Sequence, residues 1–200
     1  MKLWYSPTSP FVRKVLMTAI EAGIEHDIEK IACGPLGPTG AIAADNPLGK
    51  VPALRTDDDE VLFDSRVICE YLDSLHGGDK IFPPAGAARW TALRRAELAD
   101  GAVDAGILAM METRRPAEEQ SAAWIEKQKS VVGLALDALE GEADTLGDSV
   151  DISTITICCA LGWIEFRNVL GDWRASRPAL ADWYAGFSAR QSALATEPAE

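Results

Sequence analysis

The 200-residue chain is 48% hydrophobic and 25% charged, a composition that fits folded protein and leaves room for one large domain or two small ones, each with its own core. Its 31 acidic residues against 19 basic ones give a net charge of -12, which opposes nonspecific attraction to nucleic acid or to an anionic membrane. The opening "MKLWYSPTSP" has no apolar run fit for a signal peptide, and "ISTITICCALGWI" is too short to span a bilayer before Glu165, so the expectation is a soluble, cytoplasmic protein.

In chain order, "KLWY" predicts a strand, "PFVRKVLMTAIEAG" a helix, and "HDIEKI" a second strand. Val12, Val15, Leu16, Ala19 and Ile20 share one face of that helix, and Gly23 supplies its stop. Pro10 fits the first helical position and Ser9 the N-cap before it. After the Gly/Pro loop "ACGPLGPTG", "VPALR" and "EVLF" flank "TDDD" as an antiparallel hairpin with a solvated acidic turn. "DSRVICEYLDSLHG" predicts a helix that ends at Gly77, with Asp64 and Ser65 as N-cap residues.

Strand signals vanish after "GGDKIFPPAG". Helical patterns cover 87 to about 113 and 117 to 140, followed by "DISTITICCALGWIEFR" and "RPALADWYAGFSAR", with a loose tail at "ATEPAE". The expected division is residues 1–80, a linker at 81–86, and an all-helical part at 87–200. Cys33, Cys69, Cys158 and Cys159 form no C-x-x-C pair and no metal-ligand spacing with His26 and His76, so no metal is expected. Cys158 and Cys159 fall in an apolar helix and are expected to pack in the core, whereas Cys33 sits in the loop.

An α/β unit of about eighty residues before an all-α one, with "SPFVRK" at the first helix, "NPLGKVPAL" before the hairpin, "FDS" at the helix that follows the hairpin and a helix beginning at Asp151, resembles the glutathione S-transferase family. That resemblance covers essentially the whole chain. It implies a thioredoxin-like N-terminal domain joined to a C-terminal helical bundle, a homodimer, glutathione as co-substrate, and a small hydrophobic electrophile as second substrate. Related alternatives are a glutathione-dependent isomerase or peroxidase, or a binding module that keeps the fold without turnover.

The site residues follow from the same resemblance. On residue types alone Val51-Pro52 suits a loop-to-strand turn; the resemblance implies a cis bond that turns the Val51 backbone outward toward a peptide-like ligand. Asp64 and Ser65 are ordinary caps, yet their helix end also suits an amino-acid moiety. Lys50 would meet a glycyl carboxylate, and Phe11 lies in the glutathione-binding stretch. Ser9 is the expected catalytic hydroxyl, holding the glutathione thiolate, with Tyr5 as runner-up and Ser6 and Thr8 nearby. Redox-type relatives carry cysteine where Ser9 stands, so mixed-disulfide chemistry is not expected there. Ser6, Met110 and Met111 are expected in the electrophile pocket. Asp151 and Thr154 occupy in reverse order the places of a Ser/Thr cap with an Asp three residues on, and are assigned to folding.

Overall fold

A computed structural model of the chain describes residues 1–33, 40–78 and 80–199. Most of the Gly/Pro-rich loop expected after the second strand, residues 34–39, lies outside the described residues. Four strands, β1 (Lys2–Tyr5), β2 (Glu29–Ala32), β3 (Ala53–Arg55) and β4 (Val61–Leu62), form one sheet in the order β2-β1-β3-β4. β1 and β2 run parallel, which requires a crossover. The crossover is helix α1 (Pro10–Glu21), while β3 is antiparallel to both β1 and β4.

Helix α2 (Ser65–Ser74) follows β4 and packs with α1. The helical half consists of α3 (Ala87–Thr113), α4 (Ala122–Glu140), α5 (Ile152–Phe166), α6 (Pro178–Phe187) and α7 (Gln191–Leu194). α3 packs against both α4 and α5, and α1 rests on α5. One continuous core therefore runs from the sheet into the bundle. Leu3, Val15 and Met17 belong to it on one side and Ile155, Cys159 and Leu161 on the other, all at most 2% exposed. This is a thioredoxin-like α/β unit followed by an all-helical one.

α5 is buried along nearly its whole length, so the free N-H groups of its first turn cannot rely on water. The Asp151 carboxylate accepts from Ser153 N at 2.8 Å and Thr154 N at 3.1 Å, and Asp151 N donates to Thr154 Oγ1 at 2.9 Å. The reversed residues thus form the reciprocal cap. Cys158 and Cys159 are core residues as expected, and burial pushes the Cys158 and Cys69 thiols up to about 11. They remain protonated at neutral pH.

Three local expectations change. The second strand begins at Glu29 because residues 25–27 form a 3-10 turn; a six-residue apolar alternation does not fix where pairing with β1 starts. α4 begins at Ala122, with Ser121 Oγ accepting from Trp124 N, and residues 117–119 form a separate 3-10 turn. The C-terminal tail is docked at its start: α7 follows α6, and Arg13 Nε of α1 donates to Thr196 Oγ1 at 3.5 Å.

Candidate functional site

The C-terminal ends of β1 and β2 open toward three chain features that converge. The first is the turn before β3. Asn46 is 2% exposed; its side-chain amide donates to the Lys50 carbonyl at 2.8 Å and its oxygen accepts from Leu48 N at 3.0 Å. Gly49 supplies the positive φ of 63° that lets the chain reverse inside this staple. Lys50 and Val51 are thereby delivered to one place. The Val51–Pro52 peptide is cis, as the resemblance implied, and Phe63–Asp64 is cis as well.

The second feature is the start of α2. Asp64 caps it, Oδ1 accepting from Arg66 N at 3.0 Å, and Ser65 in the first turn is 2% exposed. The third is the start of α1, where Ser9 Oγ accepts from Val12 N at 3.3 Å and Pro10 occupies the first helical position. Capping is thus observed at both helices. It does not use up either side chain: a serine hydroxyl that accepts a bond still has its own proton to donate.

A cavity of about 190 Å3 joins the Val51 turn, the start of α2 and Phe11 in the first turn of α1 to α3; Ser9, Tyr5, Ser6, Met110 and Met111 are not among the residues that line it. Phe11, Lys50, Val51, Pro52, Asp64 and Ser65 all line it. Ser9 stands two residues before Phe11 in the β1–α1 turn, where its N-H donates to the Ser6 carbonyl at 3.2 Å. Ser6 Oγ and Thr8 Oγ1 are 3.3 Å apart. Tyr5 packs its ring against the core, with the Lys30 ammonium 5.6 Å from the ring centre. Met110 and Met111 lie about 10 Å further along α3 from Asp104. Met111 is exposed, and Arg114 reaches both thioethers, at 3.6 Å from Met110 and 3.9 Å from Met111.

Asn46, Arg66, Asp100 and Asp104 also line the cavity, and sequence patterning did not single them out. Asp100, on α3, is 3% exposed and takes the buried Lys14 ammonium of α1 at 2.6 Å and 2.9 Å. Arg66 Nε lies 3.4 Å from the same carboxylate, and Arg66 Nη1 lies 3.1 Å from Glu97. Asp104 sits one helical turn from Asp100 at the rim. Partial loss of water and then the Asp100 carboxylate push its pKa up, against opposing pulls from Arg66, Lys50 and Lys14. A cation beside Asp104 would relieve that. Conversely, Lys50 is exposed and enters no ion pair among the described residues.

A wider hollow of about 480 Å3 lies at the other end of the strands, among Met1, His26, Asp57 and Asp59. Several of its charges are already matched: the N-terminal ammonium holds Asp57 at 2.7 Å, and Arg55 pairs with Asp45 and Asp59. No helix begins there except a single 3-10 turn, so the smaller cavity is the candidate site.

Residues 8–75 match the family profile described as Glutathione S-transferase, N-terminal domain, and residues 122–186 match Glutathione S-transferase, C-terminal domain. The Uncharacterized GST-like protein YibF of Escherichia coli (strain K12) is 38% identical, over 99% of this chain and 98% of that protein. A crystal structure of a glutathione transferase family member from Pseudomonas fluorescens Pf-5 with bound glutathione superposes with a TM-score of 0.95 at 42% identity, covering 100% of this chain and 99% of that one. A second, with bound S-(propanoic acid)-glutathione, gives 0.92 at 41% identity and covers 100% of both chains. With both halves of the fold matched in order, this chain belongs to the glutathione S-transferase family.

Proposed function

We propose that the protein is a glutathione transferase that binds glutathione in the cavity between the Val51 backbone and the start of α2, favours its thiolate through Ser9, and adds it to a small hydrophobic electrophile. The observation that carries this reading is the meeting, around one cavity, of the cis Val51–Pro52 turn, the first turns of two helices and complementary charge. The Val51 N-H and C=O suit the tripeptide's own amide groups. The α2 N-terminus with Ser65 suits the γ-glutamyl carboxylate. Asp64 and Asp104 suit its ammonium, and Lys50 suits the glycyl carboxylate. Bound glutathione in a relative at 42% identity supports glutathione as the ligand.

The chemistry needs no covalent bond to the protein. The Ser9 hydroxyl donates to the sulfur anion, favouring it over a free thiol whose pKa is about 8.5, and each unit of lowering corresponds to about 1.4 kcal/mol. The sulfur pair attacks an electrophilic carbon to form the S–C bond, and a leaving group departs with its electrons or the adjacent carbanion takes a proton. Serine at position 9 cannot form a mixed disulfide, so thiol–disulfide exchange through this residue is not part of the reading. We assign the electrophile to the neighbourhood of Ser6, Met110 and Met111, whose pliable thioethers accept varied apolar shapes. In this division residues 1–80 bind glutathione, 81–86 link, and 87–200 offer the second pocket, in a cytoplasmic enzyme.

Retention on immobilised glutathione followed by conjugation of a generic aryl halide tests the function. Retention with turnover is the expected result. Retention without turnover of any electrophile would favour a binding module, and failure to bind would end the transferase reading.

We further propose that the chain pairs with a second copy through the outer face of α3 and α4. A groove of about 340 Å3 lies there among Leu98, Gly101, Ala102, Val131, Leu134 and Ala135. Val131 and Leu134 in this groove are 42% and 66% exposed, apolar side chains that a partner's surface could cover. Leu134→Glu is expected to convert a dimer into a monomer in light scattering; an unchanged mass would place the contact elsewhere.

A further inference from the structure

The helix that opens with Ser9 is tied, at its first turn, to the far end of the chain. Arg13 N donates to the Ser9 carbonyl at 3.0 Å, so the two residues share that turn. The Arg13 side chain is buried, with the residue 5% exposed. Its Nη2 donates to the Ala193 carbonyl at 3.1 Å and its Nε to Thr196 Oγ1 at 3.5 Å. Nη1 lies over Gly162 of α5, where a Cβ would overlap both that nitrogen and the Tyr184 hydroxyl. Arg13 Nη1 meets no hydrogen-bond partner in good geometry, the Tyr184 hydroxyl interacts with the guanidinium, and no carboxylate pairs with Arg13 among the described residues.

A guanidinium buried without a carboxylate is a costly way to fill space, and an apolar side chain of similar volume would pack there more cheaply. What arginine adds is direction: its planar fork fixes an orientation against the C-terminal segment. We propose that Arg13 is a positioning residue, holding the first turn of α1 against residues 193–196 so that the Ser9 hydroxyl stands where the thiolate forms. This rests on the transferase reading above. The Val51 turn and the α2 N-terminus lie on other elements, so disturbing Arg13 should weaken thiolate formation and turnover while sparing glutathione binding. Displacements of about 1 Å in such a constellation are enough to slow chemistry strongly.

Two variants displace the guanidinium by independent routes. Arg13→Met keeps length and apolar volume but loses the hydrogen bonds. Gly162→Ala crowds the guanidinium from α5 and leaves the sequence of α1 intact. The ultraviolet thiolate band of bound glutathione is titrated in each, beside kcat and KM. In both, the band is expected to appear at a pH higher by about half a unit or more, and kcat to fall about 3- to 30-fold. KM for glutathione is expected to stay within about twofold, and Arg13→Lys to recover part of the loss. Should Arg13→Met fail to fold, Gly162→Ala decides. Wild-type titration and kcat in folded variants would overturn the proposal. A wild type that binds no glutathione, or shows no thiolate at neutral pH, would instead overturn the transferase reading and the proposal with it.

Discussion

Asp100→Ala is expected to destabilise the protein by about 3–5 kcal/mol, the cost of breaking a buried ion pair from one side. The Lys14 and Asp100 side chains are 2% and 4% exposed, and the ammonium sits 2.6 Å and 2.9 Å from the two carboxylate oxygens. Deleting the carboxylate leaves Lys14 charged in the core, with the Phe11 ring 5.7 Å away and the Asp104 carboxylate, one turn along α3, as partial compensation. Domains are stable by roughly 5–15 kcal/mol, so the loss would be a large part of the whole. Lys14→Met with Asp100→Leu removes both charges and is expected to lie within about 1–2 kcal/mol of wild type. Urea unfolding with an unchanged slope measures both. A loss below about 1 kcal/mol in Asp100→Ala would mean that water reaches the pair.

The pair also bears on the site. Asp100 anchors Arg66 at 3.4 Å, and both residues line the cavity. The charge-free double variant should therefore fold well yet bind glutathione more weakly, which separates the stability of the α1–α3 junction from its role in shaping the site.

Ser9→Ala is expected to lower kcat/KM for conjugation on the order of 10- to 100-fold, because the thiolate loses its hydroxyl donor. The same change removes the α1 cap, worth about 1 kcal/mol of stability, so activity and folding must be told apart. Ser9→Asp does this. Aspartate caps as well as serine, and its charge suits the positive end of α1, so the fold is kept. Its carboxylate, however, repels a sulfur anion and has no proton to give at neutral pH. Low activity in a fully stable Ser9→Asp protein is the expected outcome. Tyr5→Phe should stay near wild type, since the tyrosine ring is committed to core packing and to Lys30. Loss of activity in Tyr5→Phe with retention in Ser9→Ala would move the catalytic hydroxyl to residue 5.

Much of this was legible wherever the determining interactions are local. Pro10 and Ser9 announce the start of α1 within two residues, and Asp151 with Thr154 announces that of α5 within four. The turn from Asn46 to Pro52 could be placed from its proline and glycine, although the staple made by the Asn46 side chain passed unremarked; an asparagine at the head of a Pro-x-Gly turn is its signal. Arg66, Asp100 and Asp104 were not legible. Asp100 meets Lys14 across 86 residues, and periodicity says which face a residue occupies without saying what lies opposite. The docking of the tail's first residues is not legible for the same reason, since Arg13 meets Thr196 across 183 residues.

The most direct measurement is a crystal structure of the protein with glutathione bound. The cysteinyl sulfur is expected within hydrogen-bonding reach of Ser9 Oγ, with the tripeptide backbone paired to Val51 and its γ-glutamyl end at Ser65. A sulfur resting on the Tyr5 hydroxyl, or a tripeptide seated away from the α1 N-terminus, would contradict the account.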